Sequence, residues 1–124
     1  MTGKSERRAS PGIALDGPVI YMNDSDRMIW EEDLESFVPK KIFDAHIHFW
    51  NDEYLPPNHA HRNAYVFADF QVTEAWNKRM FPGREIDYLV LGTPCPGMDT
   101  QAHNAFLADE MKKRPHSRAH RLIT

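Results

Sequence analysis

The sequence has little cysteine, no long hydrophobic run and no excess of positive charge. Cys95 is its single cysteine, so no internal disulfide can form, as is typical of proteins in a reducing compartment. No stretch approaches the roughly 20 apolar residues of a membrane-spanning helix, and no basic start leads into an apolar run like that of a secretory signal. The formal net charge is -3, without the basic stripe of a nucleic-acid binder. These features predict a cytoplasmic protein that binds neither membranes nor nucleic acid.

Several short enzyme motifs are also missing. The chain has no glycine-rich phosphate loop, no dinucleotide-binding fingerprint and no serine nucleophile elbow. Its 124 residues allow one domain at most. With 41% hydrophobic and 27% charged residues, the composition is that of a folded domain rather than a disordered chain.

Two N-terminal segments precede the main part of the chain. Residues 1–24 mix Ser, Gly, Pro and basic residues without a period, which predicts a flexible tail. Residues 25–40 predict a helix and a linker, with Trp30, Leu34 and Phe37 as the buried stripe of the helix.

Strands and helices alternate from residue 41 onward. Alternating or continuous apolar runs predict strands near residues 42–48, 86–91 and 118–124. Helices are predicted near residues 74–80 and 99–114, from cap residues and apolar spacing. This order indicates βαβ units around a parallel sheet, and therefore an α/β fold.

The residues with recognisable chemistry lie on the first predicted strand. Side chains alternate between the two faces of a strand, so Asp44, His46 and His48 are predicted to share one face with Ile42. Two imidazoles two residues apart can bind one divalent ion, and Asp44 is placed to support them from a second shell. The alternative is a pair of histidines on a half-exposed strand without any metal.

This strand resembles a known family. Residues 42–48 (Ile-Phe-Asp-Ala-His-Ile-His) resemble the first barrel strand of the amidohydrolase superfamily. The more specific resemblance is to the amidohydrolase-related branch that includes aminocarboxymuconate-semialdehyde decarboxylase. The resemblance extends over about residues 41–124. Its later supporting positions are residues 86–91, Asn104, Leu107, Ala108, Pro115 and Arg118.

The resemblance implies the N-terminal part of a metal-dependent (β/α)8 TIM barrel, with two to three of the eight βα units present. It implies that His46 and His48 bind a divalent metal, most often zinc. It further implies a parent enzyme that is a hydrolase, or alternatively a decarboxylase (a lyase), acting on a small carboxylated or cyclic substrate. The family's remaining ligands lie on later strands and have no counterpart here. We therefore expect a truncated product or a partial sequence that lacks activity by itself.

Two other interpretations stay open. One is a non-catalytic fragment that binds a partner through its open strand edges and exposed apolar faces; the other is a small self-contained metal-binding module. A homo-oligomer is compatible with any of these interpretations.

The loop after the first strand holds three candidates for substrate contact. His59 and His61 lie within it, and a solvated polar loop is their favoured interpretation. Trp50 follows the histidine motif, and its position fits a pocket wall and loop packing equally well. Cys95 is interpreted as an ordinary thiol. The histidines without a partner at metal spacing are interpreted as surface or packing residues: His103, His116 and His120.

Overall fold

A three-stranded parallel sheet is the centre of this computed structural model, which describes residues 23–59 and 67–123. The strands are β1 (Lys41–His48), β2 (Trp50–Asn51), β3 (Phe67–Ala68), β4 (Glu85–Leu91) and β5 (Arg118–His120). The main sheet has the order β1-β4-β5 with both pairs parallel, while β2 and β3 form a separate antiparallel pair. The predicted α/β fold with a parallel sheet is confirmed at this level.

Three α-helices lie within the described ranges. They are α1 (Asp24–Ile29), α2 (Phe70–Met80) and α3 (Thr100–Met111). A π-helical turn at Trp30–Leu34 continues α1, and a 3-10 turn at Asp52–Tyr54 follows β2. None of the helices in these ranges is long and apolar enough to cross a membrane. Except for Asn23 and Asp24, the tail predicted for residues 1–24 lies outside the described residues.

The hydrophobic core lies between the sheet and the helices α2 and α3. The central strand β4 contributes Ile86, Tyr88 and Val90, which are all buried. Phe70 at the start of α2 and Leu107 in α3 pack against them in the same cluster. Because burying a large apolar side chain stabilises a fold by about 1.5–3 kcal/mol, this cluster fixes the two helices on one face of the sheet.

The N-terminal helix buries only one residue of its predicted stripe. Trp30 is 5% exposed, whereas Leu34 and Phe37 are 37% and 81% exposed. The amide of Glu35 bonds to the carbonyl of Trp30, five residues earlier. Such a π turn holds one more residue than an α-helical turn, so later residues no longer lie on the face of Trp30. The prediction of a buried stripe is therefore wrong for Leu34 and Phe37.

Helix α2 begins four residues earlier than predicted. Asp69 caps it, since its Oδ1 accepts a hydrogen bond from the amide of Val72 at 3.0 Å. The carboxylate of Glu110 in α3 accepts another from the amide of Phe70 at 3.1 Å. Two carboxylates at this terminus satisfy amides that lack helical partners. Thr73, which directly precedes the helix predicted from residue 74, is a buried residue of the first turn.

The C-terminal elements end earlier than predicted. Strand β5 stops at His120, because the side chain of Asn104 bonds to both backbone groups of Leu122, at 2.9 Å each. Those groups are the ones a strand ladder would use. Helix α3 stops at Met111, since the amides of Lys113 and Arg114 bond only three residues back, which tightens the chain into a turn.

Candidate metal site

A bulge in β1 decides which side chains share a face. Asp44 is paired with Tyr88 and Ile47 with Val90, so three steps along β1 match two steps along β4. Ile42 and Ile47 are an odd number of residues apart, yet both pack against the core cluster. Beyond the bulge, the extra residue therefore shifts by one position the pattern of side chains that point towards and away from the core.

The predicted shared face is wrong for Ile42 and Asp44. Paired residues of parallel strands point to the same side, so Asp44 lies on the side of its buried neighbour Tyr88. His46 and His48, beyond the bulge, lie on the opposite side of the sheet. The extra residue is the reason, because regular alternation would have placed all even-numbered residues together.

Asp44 supports His46 through the backbone. Its Oδ1 accepts a hydrogen bond from the amide of His46 at 3.0 Å, inside the bulge. A carboxylate that accepts from a backbone amide two residues later holds a local turn and competes with the strand ladder. Asp44 thus fixes the point at which the strand turns the two histidines outward. The role predicted for Asp44 as a support of metal ligands stays a prediction; the group that its carboxylate contacts is the backbone amide of His46.

The two imidazoles meet at the carboxyl end of β1. The Nε2 atoms of His46 and His48 are 3.2 Å apart, and the rings lie edge to face at an interplanar angle of 63°. His46 is exposed and His48 is half-buried, so solvent reaches the pair. Two ring nitrogens at this distance can form a hydrogen bond, in which one ring donates its N–H and the other accepts.

The tautomer of His48 follows from its second contact. Its Nδ1 lies 3.0 Å from the carbonyl oxygen of Gly92, the residue after β4. A carbonyl oxygen only accepts, so Nδ1 carries the proton and donates it. In the neutral ring Nε2 then holds the lone pair, which is the form that binds a metal.

The distance between the Nε2 atoms of His46 and His48 is that of two ligands of one metal ion. Two nitrogens bound to one tetrahedral zinc ion, each about 2.0–2.1 Å from it, lie roughly 3.3 Å apart. The separation of 3.2 Å between His46 and His48 agrees with this value. In residues 23–59 and 67–123, no group of three or more His, Cys, Asp or Glu side chains is placed to hold a metal. The described residues therefore offer this pair and no third side chain beside it.

Two of the three loop candidates make contacts within the loop region. Trp50 is 8% exposed and packs with Leu55 and Ala68 in a small second cluster, which favours loop packing over a pocket wall. His59 is half-buried, and its amide bonds to the carbonyl of Pro56 in a turn. His61 lies outside the described residues.

Cys95 packs against the same second cluster. It is half-buried, and burial raises the pKa of its thiol. A raised pKa lowers the fraction of reactive thiolate, in keeping with the interpretation as an ordinary thiol.

Sequence reasoning missed the contribution of the residues after β4. The amide of Thr93 donates a hydrogen bond to Nε2 of His103 at 3.2 Å, and its hydroxyl donates to the carbonyl of Phe49 at 3.2 Å. His103 is fully buried, and burial lowers its pKa below 6.5. The spacing of four residues between His103 and Leu107 could have indicated that His103 is buried, because residues four apart lie on the same face of a helix and both are buried in α3.

The comparisons with known proteins identify no relative. No protein-family model matches the chain. No curated protein and no solved structure is significantly similar to it. The functional interpretation therefore depends on the geometry of the histidine pair and on the resemblance of its strand.

Proposed function

We propose that His46 and His48 are ligands of a divalent metal, zinc in the first place, in an amidohydrolase-like enzyme. The observation that carries the proposal is the convergence of their Nε2 atoms to 3.2 Å, with the lone pair of His48 fixed by Gly92. The position supports it too, because parallel α/β sheets place their active sites at the carboxyl ends of the strands.

The wider architecture proposed is the beginning of a (β/α)8 barrel. A parallel sheet in the order β1-β4-β5, with α2 and α3 in one core cluster on a single face, supports it. Phe43 lies on the same face as the histidines and is 55% exposed. In a barrel that face points inward and is covered by the other strands.

The proposed reaction is hydrolysis of a small carboxylated or cyclic compound, with decarboxylation as the alternative at the same centre. A bound divalent metal would polarise a carbonyl oxygen or lower the pKa of a water molecule. The residues of this chain orient the ligands: Gly92 holds the ring of His48, and Asp44 holds the backbone of His46. Two imidazoles leave other metal positions to further groups, from outside the described residues or from another chain.

The test is a calorimetric titration of the purified chain with zinc. We expect one zinc ion per chain for the unchanged protein and loss of this binding in the double variant His46→Ala/His48→Ala. The control is His116→Ala, which removes an exposed histidine outside the pair and should bind as the unchanged chain does. Equal binding by the unchanged chain and by the His46/His48 variant would contradict the proposal.

A further inference from the structure

One peptide unit lies between two histidines from different elements. The carbonyl oxygen of Gly92 accepts a hydrogen bond from Nδ1 of His48 at 3.0 Å. The amide of Thr93, which belongs to the same peptide plane, donates to Nε2 of His103 at 3.2 Å. The order is therefore His48, the peptide between Gly92 and Thr93, and then His103.

The direction of both hydrogen bonds is fixed by chemistry. A carbonyl oxygen cannot donate and a peptide amide cannot accept, so His48 carries its proton on Nδ1 and His103 carries a lone pair on Nε2. His103 is 0% exposed, and its Nδ1 has no hydrogen-bond partner among the described residues. The ring of His103 is thus a neutral acceptor, and turning it over would leave the amide of Thr93 without its partner.

The elements that hold His103 and Thr93 are well anchored. Helix α3 is capped by Asp99, which accepts from the amide of Ala102 at 3.0 Å. The hydroxyl of Thr93 donates to the carbonyl of Phe49, directly after His48. A peptide that accepts on one side and donates on the other is polarised, and each of its hydrogen bonds strengthens the other.

We propose that His103 is a positioning residue for His48, acting through the peptide between Gly92 and Thr93. By accepting from the amide of Thr93, it orients the carbonyl of Gly92 and strengthens it as an acceptor for Nδ1–H of His48. His48 is thereby held with the lone pair of its Nε2 towards His46. The consequence for metal binding rests on the function proposed above, whereas the hydrogen-bonded relay itself does not.

The experiment compares three variants with the unchanged chain. His103→Leu removes the acceptor, and His103→Gln returns one, because the amide oxygen of Gln reaches the position of Nε2. Thr93→Val is the matched control: it removes the hydroxyl bonded to Phe49 but keeps the peptide amide. Thermal unfolding of each variant shows whether it is folded.

The decisive measurement is the tautomer of His48 in the metal-free chain, from nitrogen-15 shifts of labelled histidines. We expect a single Nδ1–H form in the unchanged chain, in His103→Gln and in Thr93→Val, and a mixture of both tautomers in His103→Leu. We further expect the zinc affinity of His103→Leu to fall about tenfold, as for the loss of an outer-shell partner, and to recover in His103→Gln. A folded His103→Leu chain with His48 entirely in the Nδ1–H form would overturn the proposal.

A second measurement covers the case in which His103→Leu does not fold. In the unchanged chain, the hydrogen bond from Thr93 to His103 should give a through-bond coupling between the two nitrogens. A protonated Nε2 on His103 without such a coupling would disprove the relay. If the tautomers behave as expected but the unchanged chain binds no zinc, the relay holds and the metal proposal fails.

Discussion

Of the three glycines in the described residues, Gly92 is the one at which an added Cβ atom would meet a neighbour too closely. A Cβ atom built on Gly92 would lie 2.6 Å from Cγ of Leu122, much closer than such atoms approach in real structures. Leu122 is itself held through its backbone by Asn104. The carbonyl that bonds His48 therefore belongs to a residue that cannot accept a side chain without displacing Leu122.

Gly92→Ala should lower the free energy of unfolding by about 1–3 kcal/mol, as expected when a packed site is overfilled. The double variant Gly92→Ala/Leu122→Ala should lose less than the sum of the two single losses, because the smaller side chain makes room. Urea unfolding of the four chains measures this coupling. Gly83→Ala is the control, because Gly83 has a φ of 70° and no neighbour within 4 Å of an added Cβ atom. The stability lost in Gly83→Ala therefore arises from backbone strain, and it should add to the stability lost in Leu122→Ala. Strict additivity for Gly92 would show that the contact with Leu122 carries no strain.

At the scale of elements, the bulge in β1 fits one extra residue into the strand that carries the histidine pair. It places one residue more on β1 than on β4 between Asp44 and Ile47. Without Ala45, regular alternation would still direct Asp44 and Ile47 to the core and both histidines away from it. The extra residue is thus accommodated locally and leaves both faces of the strand unchanged beyond it.

Deletion of Ala45 should therefore be tolerated. We expect the shortened chain to fold, with a loss of stability much smaller than that caused by deleting Leu89 from β4. The second deletion is the matched control, because β4 has no extra residue and Val90 would leave the core. Circular dichroism and thermal unfolding of the two shortened chains give the comparison. Equal damage from both deletions would show that the bulge is required for the fold.

The sequence predicted the strands better than it predicted the faces of one of them. Apolar alternation and continuous apolar runs are local signals, so the sequence predicts the strands at residues 42–48 and 86–91. The bulge was not visible, because it depends on pairing with a strand that lies far along the chain. The same holds for the π turn after α1, whose extra residue moved Phe37 to the surface.

At the scale of the whole molecule, stability should depend on the protonation of His103. Burial lowers the pKa of this imidazole in the folded chain below the unfolded value of 6.5. Between the two pKa values the unfolded chain binds more protons than the folded chain. The stability that the neutral imidazole contributes is therefore fully present above about pH 6.5, and it is lost as the pH falls from there through the pKa of the folded chain.

The melting temperature should accordingly be higher at about pH 7.5 than at about pH 5.5, and this difference should be smaller in His103→Gln, which cannot titrate at this position. Differential scanning calorimetry at the two pH values measures both differences. Other ionisable groups contribute equally to the two chains, so the comparison isolates His103. An unchanged pH dependence in the variant would show that His103 does not make this contribution.

The histidine pair could be predicted from the sequence, but the surroundings that orient it could not. His46 and His48 are two residues apart on one strand, so their proximity is a local property of the chain. Gly92 and His103 reach them only through the pairing of β1 with β4 and the packing of α3. Contacts of that kind follow from the tertiary arrangement, which no spacing of residue types reports.

The order β1-β4-β5 also has a consequence for the newly made chain. The 36 residues from 49 to 84 separate β1 from its pairing partner β4. At a synthesis rate of about 5–20 residues per second, the ribosome needs about 2–7 s to pass from the end of β1 to the start of β4. During this interval a strand with three bulky apolar residues lacks β4, the strand with which it pairs in the described part of the chain. Lys40, Lys41 and Asp44, charged residues in and beside that strand, are of the kind that keeps nascent chains from joining edge to edge.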